Sequence, residues 1–372
     1  MSKSENLLVS LVFSIILSFV IVFLVTSLLV KNGLLSSSIT QKWLKDYAAE
    51  GFVYAMGTEN RYFTQTLPKE SKPPKFSSIL IQFATNLRPG DPRSLLGSEI
   101  PGFALYDAEI YIAGKGTDYS TLPIESTPPI YEILRDSKPS EDNKENNRIE
   151  NPETNIREVV HLYHSHSYEA FKSLSNNGTY NSSNPETNII AIGNLLKKDL
   201  EERGIGVSHD TTNVGEELKA KNWGTGNAYV LARESVKEVL AQKKEITYLI
   251  DMHRDSQPRK VTTINIENKS YARLFFVVGK EHPGYERNLQ AAENLNRMLE
   301  KKYPNLSRGI VIKRKNEGNG IYNQDLTNNA FLIEMGGIDN NMEELVNTSE
   351  AFAEVFSEFY WKTEDTKTVN NE

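Results

Sequence analysis

The sequence predicts an α/β protein: a mostly parallel or mixed sheet flanked by helices, preceded by a transmembrane helix and a juxtamembrane region. Three observations carry this. Beyond residue 155, short apolar runs alternate with stretches of helical periodicity. Those runs are apolar on both faces, as strands of a helix-covered sheet must be. Near the amino terminus, Leu7 to Val30 contains no charged residue. As a helix it spans about 36 Å, enough for a hydrocarbon core of roughly 30 Å.

No small-residue cleavage site follows the apolar segment, which exits through Lys31, Asn32 and Gly33. Residues 1–30 therefore read as a cytoplasmic stub and an uncleaved, single-pass anchor. Lys3 and Glu5 precede the segment, and Lys31, Lys42 and Lys45 follow it. Flanking charge alone slightly favours a cytoplasmic carboxyl-terminal part. Residues 31–135 form a juxtamembrane region, with an amphipathic stretch from Ile39 to Ala55, an apolar stretch from Ser78 to Ala84, and strand-like character from Leu105 to Ala113. Residues 136–155 hold a single large aliphatic residue, Ile149, and read as a flexible linker or long exposed loop.

Residues 156–361 form the α/β domain. Strands are expected at Val159–Tyr163, Ile205–Ser208, Ile246–Ile250, Leu274–Val278, Ile310–Ile312 and Ala330–Ile333. Helices are expected at Thr187–Arg203, Tyr229–Leu240, Asn288–Tyr303 and Glu343–Trp361; the first has apolar residues at helical spacing, and the third has Leu289, Ala292, Leu295 and Leu299 on one face. Residues 362–372 are a polar tail.

Composition narrows the chemistry. The net charge is -7 and the pI near 5.6, which argues against nucleic acid as a partner. There is no cysteine, so disulfides and thiolate-ligated metals are excluded. No Gly-x-Ser-x-Gly elbow occurs, and the glycine-rich stretch Lys315–Gly320 lacks the lysine and hydroxyl of a phosphate loop. It reads as a loop bordering a groove.

Three polar clusters follow three apolar runs: His164, His166 and Glu169 after Val159–Tyr163, Asp251 to Asp255 after Ile246–Ile250, and Glu334 after Ala330–Ile333. Parallel strands would bring all three to one edge, where α/β sheets bind ligands. Zinc catalysis uses three protein ligands and a neighbouring base for the attacking water. His166 and Glu169, three apart, with the distant His253, suit zinc ligation, and Glu334 suits the base. Glu186, opening the next helix, is a rival carboxylate ligand. His164 is a supporting donor or a substrate contact. Asp251 and Asp255 support His253 or pair with Arg254, and Arg254 faces a substrate carboxylate or serves structure.

These clusters, together with Pro101-Gly102-Phe103, Glu125 to Pro129, Phe276 to Lys280, Tyr322 to Leu326 and Leu332 to Asn340, resemble the stage II sporulation protein P family. The resemblance implies a zinc-dependent N-acetylmuramoyl-L-alanine amidase that also cuts peptide cross-links during forespore engulfment. It implies His166 and His253 as zinc ligands, Glu334 as the catalytic glutamate and peptidoglycan as the partner; Glu169 is the carboxylate ligand chosen beside them, with Glu186 as its rival. Stage II sporulation protein D and protein M type proteins are the implied co-workers. Ser165 stands where the family commonly has Thr, and the change keeps a hydroxyl. Two other accounts fit the clusters: a zinc carboxypeptidase acting on wall peptides, and a noncatalytic peptidoglycan-binding scaffold.

Assembled peptidoglycan lies outside the membrane, so the domain is expected to be extracytoplasmic despite the flanking charges. Protease added to intact protoplasts should digest residues 31–372; full protection would reject this orientation.

Overall fold

The computed structural model describes residues 108–134, 156–175, 177–315 and 317–369. The anchor, the stretches Ile39–Ala55 and Ser78–Ala84, and the polar stretch 136–155 lie outside them. Among the described residues, no helix is long and apolar enough to cross a membrane. All of them belong to one compact unit spanning Pro92–Glu372.

The elements run β1 (Glu109–Ala113), β2 (Glu158–Tyr163), α1 (Ile189–Glu201), β3 (Gly206–His209), α2 (Val214–Ala220), α3 (Ala228–Gln242), β4 (Tyr248–Asp255), β5 (Thr263–Ile266), β6 (Lys269–Ala272), β7 (Leu274–Gly279), α4 (Tyr285–Lys302), β8 (Ser307–Lys313), β9 (Ala330–Gly337) and α5 (Met342–Val369). Seven strands form one sheet in the order β1-β8-β7-β9-β4-β2-β3, and β5-β6 is a separate hairpin. β3, β2, β4 and β9 are mutually parallel, as are β7 and β8. The β7–β9 and β1–β8 pairs are antiparallel. The sheet is mixed and mostly parallel, as expected.

Three boundaries differ from expectation. β4 and β9 run on to Asp255 and Gly337, so His253 and Glu334 lie inside strands rather than beyond them. The two strands keep pairing past the polar residues, with His253 beside Glu334, and the register then shifts by one residue before Asp255 pairs with Gly337. β1 comes from the juxtamembrane side of the polar stretch and completes the sheet edge on β8. α5 continues to Val369, past the start of the expected polar tail.

Alternation along the strands sorts the two faces. Tyr248, Ile250 and Met252 of β4 and Phe331, Ile333 and Met335 of β9 enter the main core with α1, α4 and α5. There the rings of Phe356, Phe359 and Tyr360 meet Tyr248 edge-on at 5.4–6.2 Å. α1 is capped by Asn188, whose side chain accepts from the Ile190 N–H, and Gly204 turns the chain afterwards at φ 77°. On the opposite face, Leu249 packs with Ala232 and Val236 of α3. Asp251, His253 and Glu334 share that face by strand period.

Residues 119–126 form a strap across this second face. Asp255 Oδ1 accepts from the Ile124 N–H at 3.0 Å. Gln257 Nε2 donates to Leu122 O at 3.0 Å, and Arg308 donates to Thr121 O. Arg308 also pairs with Asp255 at 2.5 Å, with both side chains fully buried, and lies over the Phe275 ring at 4.9 Å. Removing one partner of such a pair strands the other charge in a low dielectric. Arg308→Met should lower unfolding stability in urea by about 3–5 kcal/mol. Lys302→Met, at a half-exposed pair with Glu354 and Glu358, should change it by less than about 1 kcal/mol.

Candidate metal centre

The chain turns sharply after β2. The Glu169 N–H donates to His166 O at 3.1 Å, which brings these two side chains, three residues apart, to the same point. The turn is held from behind: Glu169 and Ala170 bridge to Asn181 and Asn188, and the Ile189 N–H at the start of α1 donates to Glu169 O at 2.8 Å. His253 reaches the point from β4.

One ligand atom from each of His166, Glu169 and His253 lies within 4.8 Å of the others, and all three residues are buried. His166 Nδ1 is 3.4 Å from Glu169 Oε1, and His253 Nδ1 is 3.4 Å from Glu169 Oε2. His166 Nδ1, Glu169 Oε1 and His253 Nδ1 are buried without a hydrogen-bond partner. Buried polar atoms are rarely left so. Three such atoms converging from three side chains fit a cation, and two imidazole nitrogens with one carboxylate oxygen suit zinc.

The surrounding groups orient this set. Asp251 Oδ1 is 3.0 Å from His253 Nε2, on the far side of the ring from Nδ1. Asp251 is itself fixed by the Ser165 N–H at 2.8 Å and the Ser165 hydroxyl at 2.6 Å. The hydroxyl at position 165 thus has a positional task. Glu169 Oε2 accepts from the Arg254 N–H at 2.8 Å. The Tyr229 ring walls the site, edge-on to His166 at 5.0 Å and stacked on His253 at 6.0 Å.

Burial and charge act together here. Burial opposes ionisation of Glu169, but the His253 and His166 imidazoles hold its carboxyl well below the usual range. Burial would depress His253, yet Asp251 and Glu169 raise it well above its ordinary value. Glu334 goes the other way: burial raises it well above the usual carboxylate range, and the Glu169 charge adds to this. Glu334 Oε2 has no hydrogen-bond partner. Pairing of β4 with β9 sets its Cα about 4.8 Å from that of His253.

The other expected site residues are placed differently. Glu186 is exposed and outside the cluster. Arg254 is fully buried, and its terminal nitrogens donate to Tyr180 O at 2.8 Å, Asp255 O at 3.1 Å and the Ser126 and Ser256 hydroxyls at 3.3 Å. His164 Nδ1 lies 2.9 Å from Met252 O and therefore carries the proton. His164 Nε2 is left to accept from His209 Nε2 at 2.8 Å. Burial lowers the pKa of His164 to about 4, and burial followed by the His164 charge lowers that of His209 to about 2, so both rings are neutral near pH 7. Both ring nitrogens of His164 are engaged in tying β2, β4 and β3 together. Tyr229 and His209 carried no signal in the sequence beyond a helix start and a strand end.

A mixed, helix-covered sheet with a buried two-histidine, one-carboxylate cluster defines an α/β protein with a candidate metal centre. The stage II sporulation protein P family model matches residues 90–357. Stage II sporulation protein P of Bacillus subtilis (strain 168) is 39% identical over 332 residues, which cover 86% of this chain and 83% of that protein. The chain belongs to the stage II sporulation protein P family. Among solved structures, Cwp6 from Clostridium difficile is 15% identical with a TM-score of 0.32, over 54% of this chain and 29% of that one. A metallo-carboxypeptidase from Burkholderia cenocepacia is 10% identical with a TM-score of 0.34, over 57% and 59%. At these scores neither likeness speaks to activity.

Carboxylates that orient a ligating histidine contribute about 10–100-fold in metal affinity. Asp251→Asn should therefore weaken zinc binding by about that factor in competition with a chelator. Glu169→Gln should lose stoichiometric metal, whereas Glu186→Gln should keep it.

Proposed function

We propose that this protein is a zinc-dependent peptidoglycan hydrolase of sporulation. It would cleave the amide between N-acetylmuramic acid and L-alanine, and also cut stem-peptide cross-links. The observation that carries this reading is the convergence of unpartnered His166 Nδ1, Glu169 Oε1 and His253 Nδ1, with Glu334 one strand away. The name of the Bacillus subtilis relative supports the sporulation setting.

His166, Glu169 and His253 would hold the ion. Once bound, zinc supplies Lewis-acid polarisation of the scissile carbonyl and makes a water more acidic. Glu334 removes the proton from the attacking water and returns it to the departing nitrogen. A carboxyl whose pKa is raised by burial is suited to taking up a proton and giving it back. Asp251 holds the His253 ring in one tautomer, and Tyr229 keeps bulk water from the inner side. The surroundings of Arg254 and His164 favour positioning roles over the substrate contacts expected of them, since their polar atoms are largely committed to the walls of the site. An outward-facing domain working with protein D and protein M type partners completes the reading.

Glu334→Gln should retain zinc and lower release of stem peptides from purified sacculi by about 10²–10⁴-fold, the usual scale of general acid–base help. Near-normal turnover would remove Glu334 from the base role, and loss of zinc from the folded variant would make it a ligand. Release of terminal residues alone would instead favour a carboxypeptidase.

A further inference from the structure

Glu125, on the strap, ends in a cradle built by other parts of the chain. Tyr229 Oη donates to its Oε2 at 3.3 Å, and Tyr322 Oη donates to its Oε1 at 3.1 Å. Lys313 Nζ lies 3.6 Å from Oε1 and donates to Pro123 O at 3.3 Å. Lys313 is 1% exposed. By strand period it shares a sheet face with Val311, and Val311 packs with Val277 and Leu332, which places it on the face of Glu334. The loop that follows makes room: a Cβ at Gly318 would sit 2.2 Å from Tyr322 Oη and 2.9 Å from Glu125 Oε1. The same Tyr229 whose hydroxyl holds Glu125 has its ring against His166 and His253. The cradle is therefore one tyrosine ring from the candidate metal ligands.

A buried ammonium needs an anion close by. Lys313 takes its anion from an irregular segment, and at 3.6 Å the contact is long for a charge-assisted pair, which closes to about 2.7–2.9 Å when well formed. The Glu125 side chain is 16% exposed, while its neighbours Ile124 and Ser126 are tied down through backbone atoms. It can swing out without dismantling the strap. What remains, one ammonium and two phenol hydroxyls around a space shaped for two oxygens, is a site for a carboxylate.

We infer that Lys313, Tyr229 and Tyr322 form a subsite for a carboxylate of the substrate, and that Glu125 fills it until substrate arrives. The inference rests on the hydrolase reading, in which stem peptides bring side-chain and terminal carboxylates to the site. Bound there, the substrate anchors one end while its scissile amide lies beyond Tyr229, toward Glu334.

Binding tests it. The zinc-loaded full-length chain, made inert with Glu334→Gln, is titrated calorimetrically with a muramoyl stem peptide. One form has free carboxylates; in the other they are carboxamides. The unsubstituted cradle should favour the acid by about tenfold or more, the scale of a charged hydrogen bond. Lys313→Met should erase that preference, and Glu125→Gln should tighten the acid form alone. If Lys313→Met fails to fold by circular dichroism, Tyr322→Phe should still reduce the preference. Equal affinity for both forms, no binding, or weaker acid binding by Glu125→Gln overturns the subsite. If the protein with Glu334 intact binds no zinc or releases nothing from sacculi while the acid preference holds, the hydrolase reading is overturned and the subsite stands.

Discussion

The register in which β4 pairs with β9 is the constraint on which the candidate site depends. It sets His253 beside Glu334 on the face that looks toward α3. A slip of one residue would turn Glu334 into the aromatic core of α5 and bring Met335 to the site. The apolar residues on either side prevent this: Ile333 and Met335 interlock with the main core, and Leu332 fits the opposite cluster. Hydrophobic packing on one face thus determines where charge stands on the other.

That charge is dense and out of water. Glu169, Asp251, Asp255 and Glu334 are all buried, as are Arg254, Arg308 and Lys313. Isolated buried ions are prohibitively costly, so each must be paired, hydrogen-bonded or matched by a ligand. Asp255 has Arg308 and two backbone N–H groups, and Asp251 has Ser165 and His253. His166, Glu169, His253 and Glu334 are among the groups left with unpartnered buried atoms, and the proposed chemistry falls on them.

Much of this was legible in the sequence. Apolar runs located β2, β4, β7, β8 and β9, and helical spacing located α1, α3, α4 and α5, because burial on a regular element leaves a period. The grouping of His166, Glu169 and His253 followed from parallel strands ending at one edge. Other features left no period. The β5–β6 hairpin turns through Glu267 and Asn268, both at positive φ, where a glycine would have marked the turn. Beyond one short 3-10 turn at Tyr119–Thr121 the strap is irregular, and its hold on the sheet runs through side chains from distant strands. Spacing leaves Glu169 and Glu186 as rival carboxylates, and it cannot state what the structure adds, that the first is buried and the second exposed.

The order in which the ribosome delivers these parts then bears on when the site can exist. β1 and the strap leave the ribosome early, but their partners come late: Thr117 bonds to Arg308 across 191 residues, and Lys313 to Pro123 across 190. Such distant contacts form slowly because a long chain segment must first be ordered. Until β8 and β9 are made, β4 has only β2 beside it and lacks Glu334, and the edge that receives β1 does not exist. The candidate site therefore comes into being as one of the last events of synthesis. A chain stalled after His253 and before Glu334 would carry His166, Glu169 and His253 but not the glutamate beside them.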